Sequence, residues 1–173
     1  MLLWILRTVS FIFLGYLLYF SQELGRYIIG RSVGVPEGKI KIEMFQFPQR
    51  TAIYDGERWI LSNREDFLRA YSRYDPFWSS GFMFACSGLF AESVVVAALA
   101  LLFSLAGWWE VAFAAVVISL GLGLVQIVYS VYISWRSEKI KGDYTIIYVL
   151  DAGRAAAYVA AHFILRGILL IFI

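Results

Sequence analysis

Four stretches of this chain are too apolar and too long to fold in water. They run over residues 2–29, 77–106, 109–135 and 144–173. Each meets the roughly 20 residues that an α-helix needs to cross a bilayer at about 1.5 Å per residue. Soluble domains sit near ~45–50% apolar and ~25% charged residues. Here 61% of the 173 residues are hydrophobic, 18% are aromatic and 16% are charged. A water-soluble core has no room for that excess, so the chain reads as an integral membrane protein whose first partner is the lipid bilayer. The expected fold is all-α membrane: one domain over 1–173, a four-span transmembrane helix bundle. The first apolar run is longer than the core of a signal peptide, and no small-x-small cleavage site follows it, so it reads as a retained span.

The net charge of +2 is too small to suggest a nucleic-acid partner. A single cysteine, Cys86, excludes an internal disulfide and a cysteine-built metal site.

Lysine and arginine set the orientation. Arg31, Lys39, Lys41, Arg50, Arg58, Arg64, Arg69 and Arg73 lie between the first two spans, and Arg136, Lys139 and Lys141 between the last two. The tight connection Ala106-Gly107-Trp108-Trp109-Glu110 carries none and places aromatic residues at interface depth. The positive-inside rule then puts 31–76 and 136–143 in the cytoplasm and both termini outside.

The 31–76 connection is patterned as a small cytoplasmic α+β insertion. Residues 39–45 alternate polar and apolar, as a strand does. Residues 52–60 read as a β-hairpin around Asp55-Gly56. Ser62-Asn63-Arg64-Glu65 is a capping box that opens a short helix, and Pro76 ends it. Phe67, Leu68, Tyr71 and Tyr74 share one side of that helix. The side faces either the inner membrane surface or a small cytoplasmic cap.

Polar side chains inside the spans are the candidate functional residues, because such groups are costly in hydrocarbon and mark pathways, sites or helix contacts. Glu23 lies about seven residues inside the end of the first span, roughly 10 Å deep, and Asp151 lies about as far inside the start of the fourth. Arg26 and Arg154 each follow their acid by three residues, on the same helix face. Two accounts stand. Glu23–Arg26 and Asp151–Arg154 are two structural ion pairs between helices. Alternatively Gln22, Glu23, Arg26 and Asp151 converge on one cavity open to the cytoplasm, with Asp143 approaching from the loop. Glu92 and Gln126 lie near mid-membrane. His162 reads as a packed, hydrogen-bonded residue rather than a ligand. Arg166 reads as a side chain that snorkels to the outer surface. The small residues Gly121, Gly123, Ala155, Ala156, Ala157, Ala160 and Ala161 read as close-packing positions.

These residues support a resemblance. Gln22-Glu23-Leu24-Gly25-Arg26 resembles the H-E-L-G-H motif of the site-2 protease family of intramembrane zinc metalloproteases. Residues 27–35 resemble the helix exit and Gly-Val turn that follow it, and a β-hairpin precedes the next span as in that family. Residues 85–92 are similar to its A-G-P segment, without the proline. Leu150-Asp151-Ala152-Gly153-Arg154 resembles the L-D-G-G-R segment that brings the third metal ligand, and Gly142-Asp143 fits a variant of it. In H-E-x-x-H the histidines at i and i+4 hold zinc while the glutamate activates water. Here Gln22 and Arg26 occupy the histidine positions, and a guanidinium stays protonated and repels a cation. The resemblance therefore implies a degenerate, metal-free member without a cofactor and leaning away from catalysis. Glu23 stands where the general base would, and Asp151 or Asp143 where the third ligand would. The implied role is to bind a membrane-embedded partner or helix without cutting it. Two alternatives remain open: a membrane enzyme or transporter in which Glu23, Asp151 and Arg26 handle protons or a small ligand, and a structural subunit of a larger membrane complex.

Overall fold

The computed structural model describes residues 2–44, 50–62, 65–75, 81–138 and 142–173. In chain order the elements are α1 (Leu2–Ser32), a 3-10 turn (Glu37–Lys39), β1 (Ile40–Glu43), β2 (Arg50–Tyr54), β3 (Trp59–Leu61), α2 (Glu65–Ser72), α3 (Gly81–Leu105), α4 (Trp109–Ser137), α5 (Asp143–Leu150) and α6 (Ala152–Phe172). Among the described residues three helices, α3, α4 and α6, are long and apolar enough to cross a membrane. The molecule is a mostly helical membrane protein with a small three-stranded sheet.

α1 has 31 residues and runs antiparallel to α3. The two backbones meet at glycines. A Cβ on Gly25 would collide with the Ser87 carbonyl and stand 2.7 Å from Ala91 Cβ, and one on Gly88 would lie 3.0 Å from the Gln22 carbonyl oxygen. Such close approach is how small residues bring membrane helices together. Further along, Leu18 packs with Val96, Ala100 and Val116, joining α1, α3 and α4.

α3 and α4 form a hairpin. Gly107 adopts φ +77°, which a side chain would resist, and the Gly107 and Trp108 N–H groups close the end of α3 on the Ser104 and Phe103 carbonyls at 3.0 and 2.7 Å. α6 runs alongside in the direction of α3, so that the C-terminal end of α4, the start of α6 and the sheet lie at one end of the bundle. Tyr158 donates to the Cys86 carbonyl at 2.9 Å near that end, and Leu169, Leu170 and Ile173 reach the Leu18 cluster at the other.

The last apolar stretch is not the single span expected over 144–173. Asp151 breaks it into α5 and α6. Its backbone is extended (φ −162°, ψ 101°), and its carboxylate accepts the Arg154 N–H at 2.9 Å. Aspartate competes for backbone N–H groups in this way, and so favours a cap over a helix interior.

The insertion is a cap on the helix ends. β1, β2 and β3 form an antiparallel meander in which Ile40 faces Ile53 and Ile53 faces Ile60. The turn between β2 and β3 is built by Asp55, whose Oδ1 accepts the Glu57 and Arg58 N–H groups at 2.9 Å each, with Gly56 at φ +111°. Phe67, Ala70 and Tyr71 of α2 are buried against these isoleucines, Val35 and Phe84. The Tyr71 and Phe84 rings stand 4.6 Å apart. Phe67 and Tyr71 of α2 thus pack on the cap and on the start of α3. Residues 63–64 of the expected capping box, and Pro76, lie outside the described residues.

Candidate functional site

The polar residues of α1 recur with the helix period. Ser21, Gln22 and Arg26 are buried on the side that carries Leu14 and Leu18 toward α3 and α4, and Glu23 is buried beside them toward the sheet. The helix therefore holds two polar sites, one on each side of the Gln22–Glu23 peptide.

The first lies under the cap. Glu23 is fully buried. One carboxylate oxygen accepts the Thr51 N–H at 2.8 Å and lies 2.9 Å from the Thr51 hydroxyl. The other accepts from Arg26, three residues on, with Arg50 3.9 Å away. Strand β2 thus seats a backbone amide, a hydroxyl and a guanidinium around one α1 carboxylate. Charge-assisted bonds of this kind are the strong ones, and they offset the desolvation that an unpaired buried carboxylate would suffer.

The second lies deeper and joins four helices. Gln22 donates to Glu92 of α3 at 2.6 Å and accepts from Gln126 of α4 at 3.0 Å. Glu92, also fully buried, accepts from Ser119 of α4 on its other oxygen. Arg166 of α6 is fully buried and sits 3.3 Å from that oxygen. Its remaining donors go to Ser119 Oγ at 2.7 Å, Ser93 Oγ at 3.1 Å and the His162 carbonyl at 2.9 Å. Arg166 does not snorkel outward. It turns inward because a buried acid with no cation would be far more costly than bending one long side chain toward it. His162 is buried next to it, with Nδ1 3.4 Å from Ser93 Oγ.

The chain matches no known family model, no curated protein and no solved structure.

The structure brings Gln22, Glu92, Gln126 and His162 into one network, and Glu23 and Arg26 into the neighbouring one. Asp151 and Arg154 join neither. Their ion pair is local, Arg154 Nε to Asp151 Oδ2 at 3.2 Å, with the side chains 39% and 74% exposed for Asp151 and Arg154. Of the two accounts, the contacts seen are the local ones: Glu23 is held by Arg26 and Asp151 by Arg154, each acid by the arginine three residues after it. The Asp143 side chain lies outside what the structure describes. The donor set around Glu23 does not suit a divalent cation. Gln22 has its amide oxygen committed to Gln126, and Arg26 presents a cation.

Three contributors escape a reading of the sequence: Thr51, Ser93 and Ser119. Nothing in a lone hydroxyl residue signals its partner. Arg166 and Glu92 carried a usable signal, since each is an opposite charge deep inside a span.

Proposed function

We propose that the chain is a four-span membrane protein in which α1 crosses beside α3, α4 and α6, and that it is a metal-free, non-proteolytic relative of the site-2 proteases. It binds a membrane-embedded helix or partner without cutting it. The observation that supports this reading is the condition of Glu23. A general base must offer a carboxylate oxygen to water. Both oxygens of Glu23 are instead committed within the chain, one to Thr51 and one to Arg26. The bias of basic residues toward 31–73 and 136–141 supports a cytoplasmic cap and α4–α5 connection, with both termini outside.

A second reading, proton or small-ligand handling in the membrane, draws on the run of polar groups from Gln22 to His162. It is the weaker one, because Glu92 and Arg166 are paired with each other at 3.3 Å.

The test has two arms. The protein purified without added metal is assayed for zinc. Photo-crosslinkers placed at the exposed lipid-facing positions Phe90, Val125 and Ile164 are activated in native membranes. No stoichiometric zinc and an uncut membrane polypeptide in the adduct are expected. Stoichiometric zinc, or a cleaved polypeptide as the adduct, overturns the reading.

A further inference from the structure

A small polar pocket of about 150 Å³ lies on the cap, between the β2–β3 turn and α2. Three arginines line it, Arg58, Arg69 and Arg73, together with Asp55 and Asp66. Arg69 and Arg73 are one turn apart on α2 and so share a face. Arg58 reaches the same pocket from the β2–β3 turn.

The contacts inside the chain leave this group with cationic donors to spare. Arg58 is paired with Asp66 at 3.0 Å. Arg73 donates to the backbone carbonyl of Asp55 rather than to its carboxylate. One oxygen of that carboxylate is taken by the Glu57 and Arg58 N–H groups. Arg69 is exposed, and its guanidinium makes no ion pair or hydrogen bond among the described residues. Three guanidinium charges against two carboxylates leave the lining one positive charge in excess. Like charges gathered at one pocket repel, and an anion between them turns that cost into attraction.

Size and geometry narrow the anion. Sites that enclose a whole small molecule run to roughly 300–1,000 Å³. This pocket is smaller, so it takes a single group. A carboxylate is planar and is met by one guanidinium fork. A tetrahedral phosphate presents oxygens in several directions, which suits arginines arriving from two elements.

We propose that this pocket binds a phosphate group, that of a lipid headgroup or of a soluble phosphate ester. Arg69 and Arg73 donate to it from α2 and Arg58 donates from the turn. The two acids position the donors: Asp55 builds the turn that carries Arg58, and Asp66 holds the Arg58 guanidinium beside α2.

The test uses the full chain in phosphatidylcholine nanodiscs, with hydrogen exchange of the β2–β3 turn and α2 as the readout. One arm adds inorganic phosphate. The other replaces part of the phosphatidylcholine with phosphatidic acid. A saturable slowing of exchange is expected. Saturation by phosphatidic acid alone assigns the site to a lipid headgroup, and saturation by inorganic phosphate shows that a soluble ester suffices. Arg69→Gln weakens binding about ten- to a hundredfold, the effect of one charge-assisted hydrogen bond. Lys39→Gln removes an exposed charge from the cap outside the pocket and leaves binding unchanged. If neither probe gives a saturable response in the unaltered protein, the proposal is overturned whether or not the variants fold. Equal weakening by Arg69→Gln and Lys39→Gln also overturns it, since that is the mark of general attraction to a basic surface.

Discussion

Arg166→Met is the substitution that discriminates most sharply between a structural and an incidental arginine. The side chain lies buried against Glu92 at 3.3 Å and also donates to Ser119, Ser93 and the His162 carbonyl. Three hydrogen bonds between membrane helices, at about 0.6 kcal/mol each, account for about 2 kcal/mol. The larger part is the stranded carboxylate, because removing one partner of a buried pair costs about 3–5 kcal/mol in all. That lowers the folding equilibrium constant roughly a hundred- to several-thousand-fold. The assay is reversible unfolding in mixed micelles with increasing SDS. The double variant Glu92→Met/Arg166→Met removes both charges and should recover about 2–3 kcal/mol relative to the sum of the singles, the coupling expected of contacting residues. If Arg166→Met costs less than about 1 kcal/mol, as truncation of an exposed arginine does, the inward pairing is wrong. Additivity in the cycle would refute it equally.

Three further outcomes follow from particular contacts. Gly25→Val, whose side chain would meet the Ser87 carbonyl and Ala91, should separate α1 from α3 and cost about 1–3 kcal/mol in the same SDS titration, whereas Gly121→Ala, with open space around it, should change little. Thr51→Val removes the hydroxyl that serves Glu23 but keeps the backbone N–H; a loss of about 1.5–3 kcal/mol should appear as faster proteolysis within residues 44–62, with α3–α4 contacts unchanged. The Asp55 carboxyl is held below its ordinary value by the Arg58 and Glu57 N–H groups, so its stabilising effect is complete above the unfolded value near ~3.9 and disappears as pH falls through the lower folded one. Amide exchange at Glu57 and Arg58, corrected for intrinsic rates, should therefore lose protection on acidification below about pH 4. Asp55→Asn keeps an acceptor and should abolish that dependence.

How far the sequence reveals this molecule depends on the range of each signal. Apolar length is a local property, and it located α3, α4 and the apolar stretch that contains α6. The cap was legible for the same reason: Asp55-Gly56 and the alternation around Ile40–Ile42 are read within a few residues. Asp151 was visible as an acid, but not as a helix break, because a side chain that caps and one that pairs three residues on occupy the same spacing. Depth alone also cannot give a facing direction. Glu23 and Asp151 are expected at similar depth, yet Glu23 turns to β2 and Asp151 stays with Arg154. Glu92 and Arg166 could have been matched by asking which buried charge lacked a neighbour of opposite sign on its own helix. Arg26 and Arg154 answer that question for the other two acids, and only Glu92 is left needing a distant cation.

The two kinds of pair do different work in the bundle. A pair at i, i+3 moves with its helix and says nothing about where that helix sits. Glu92 and Arg166 are 74 residues apart in sequence, and their network also takes in Gln22 and Ser119. In a bilayer an apolar face gains little by choosing a helix over a lipid tail, so apolar packing alone leaves the register of helices weakly defined. A buried acid that is satisfied by donors from three other helices is defined in register, because sliding or rotating any one of them strands a polar group in hydrocarbon. The Gln22–Glu92–Ser119–Arg166 cluster therefore fixes the order and rotation of α1, α3, α4 and α6. With that frame set, Gly123 is held against His162.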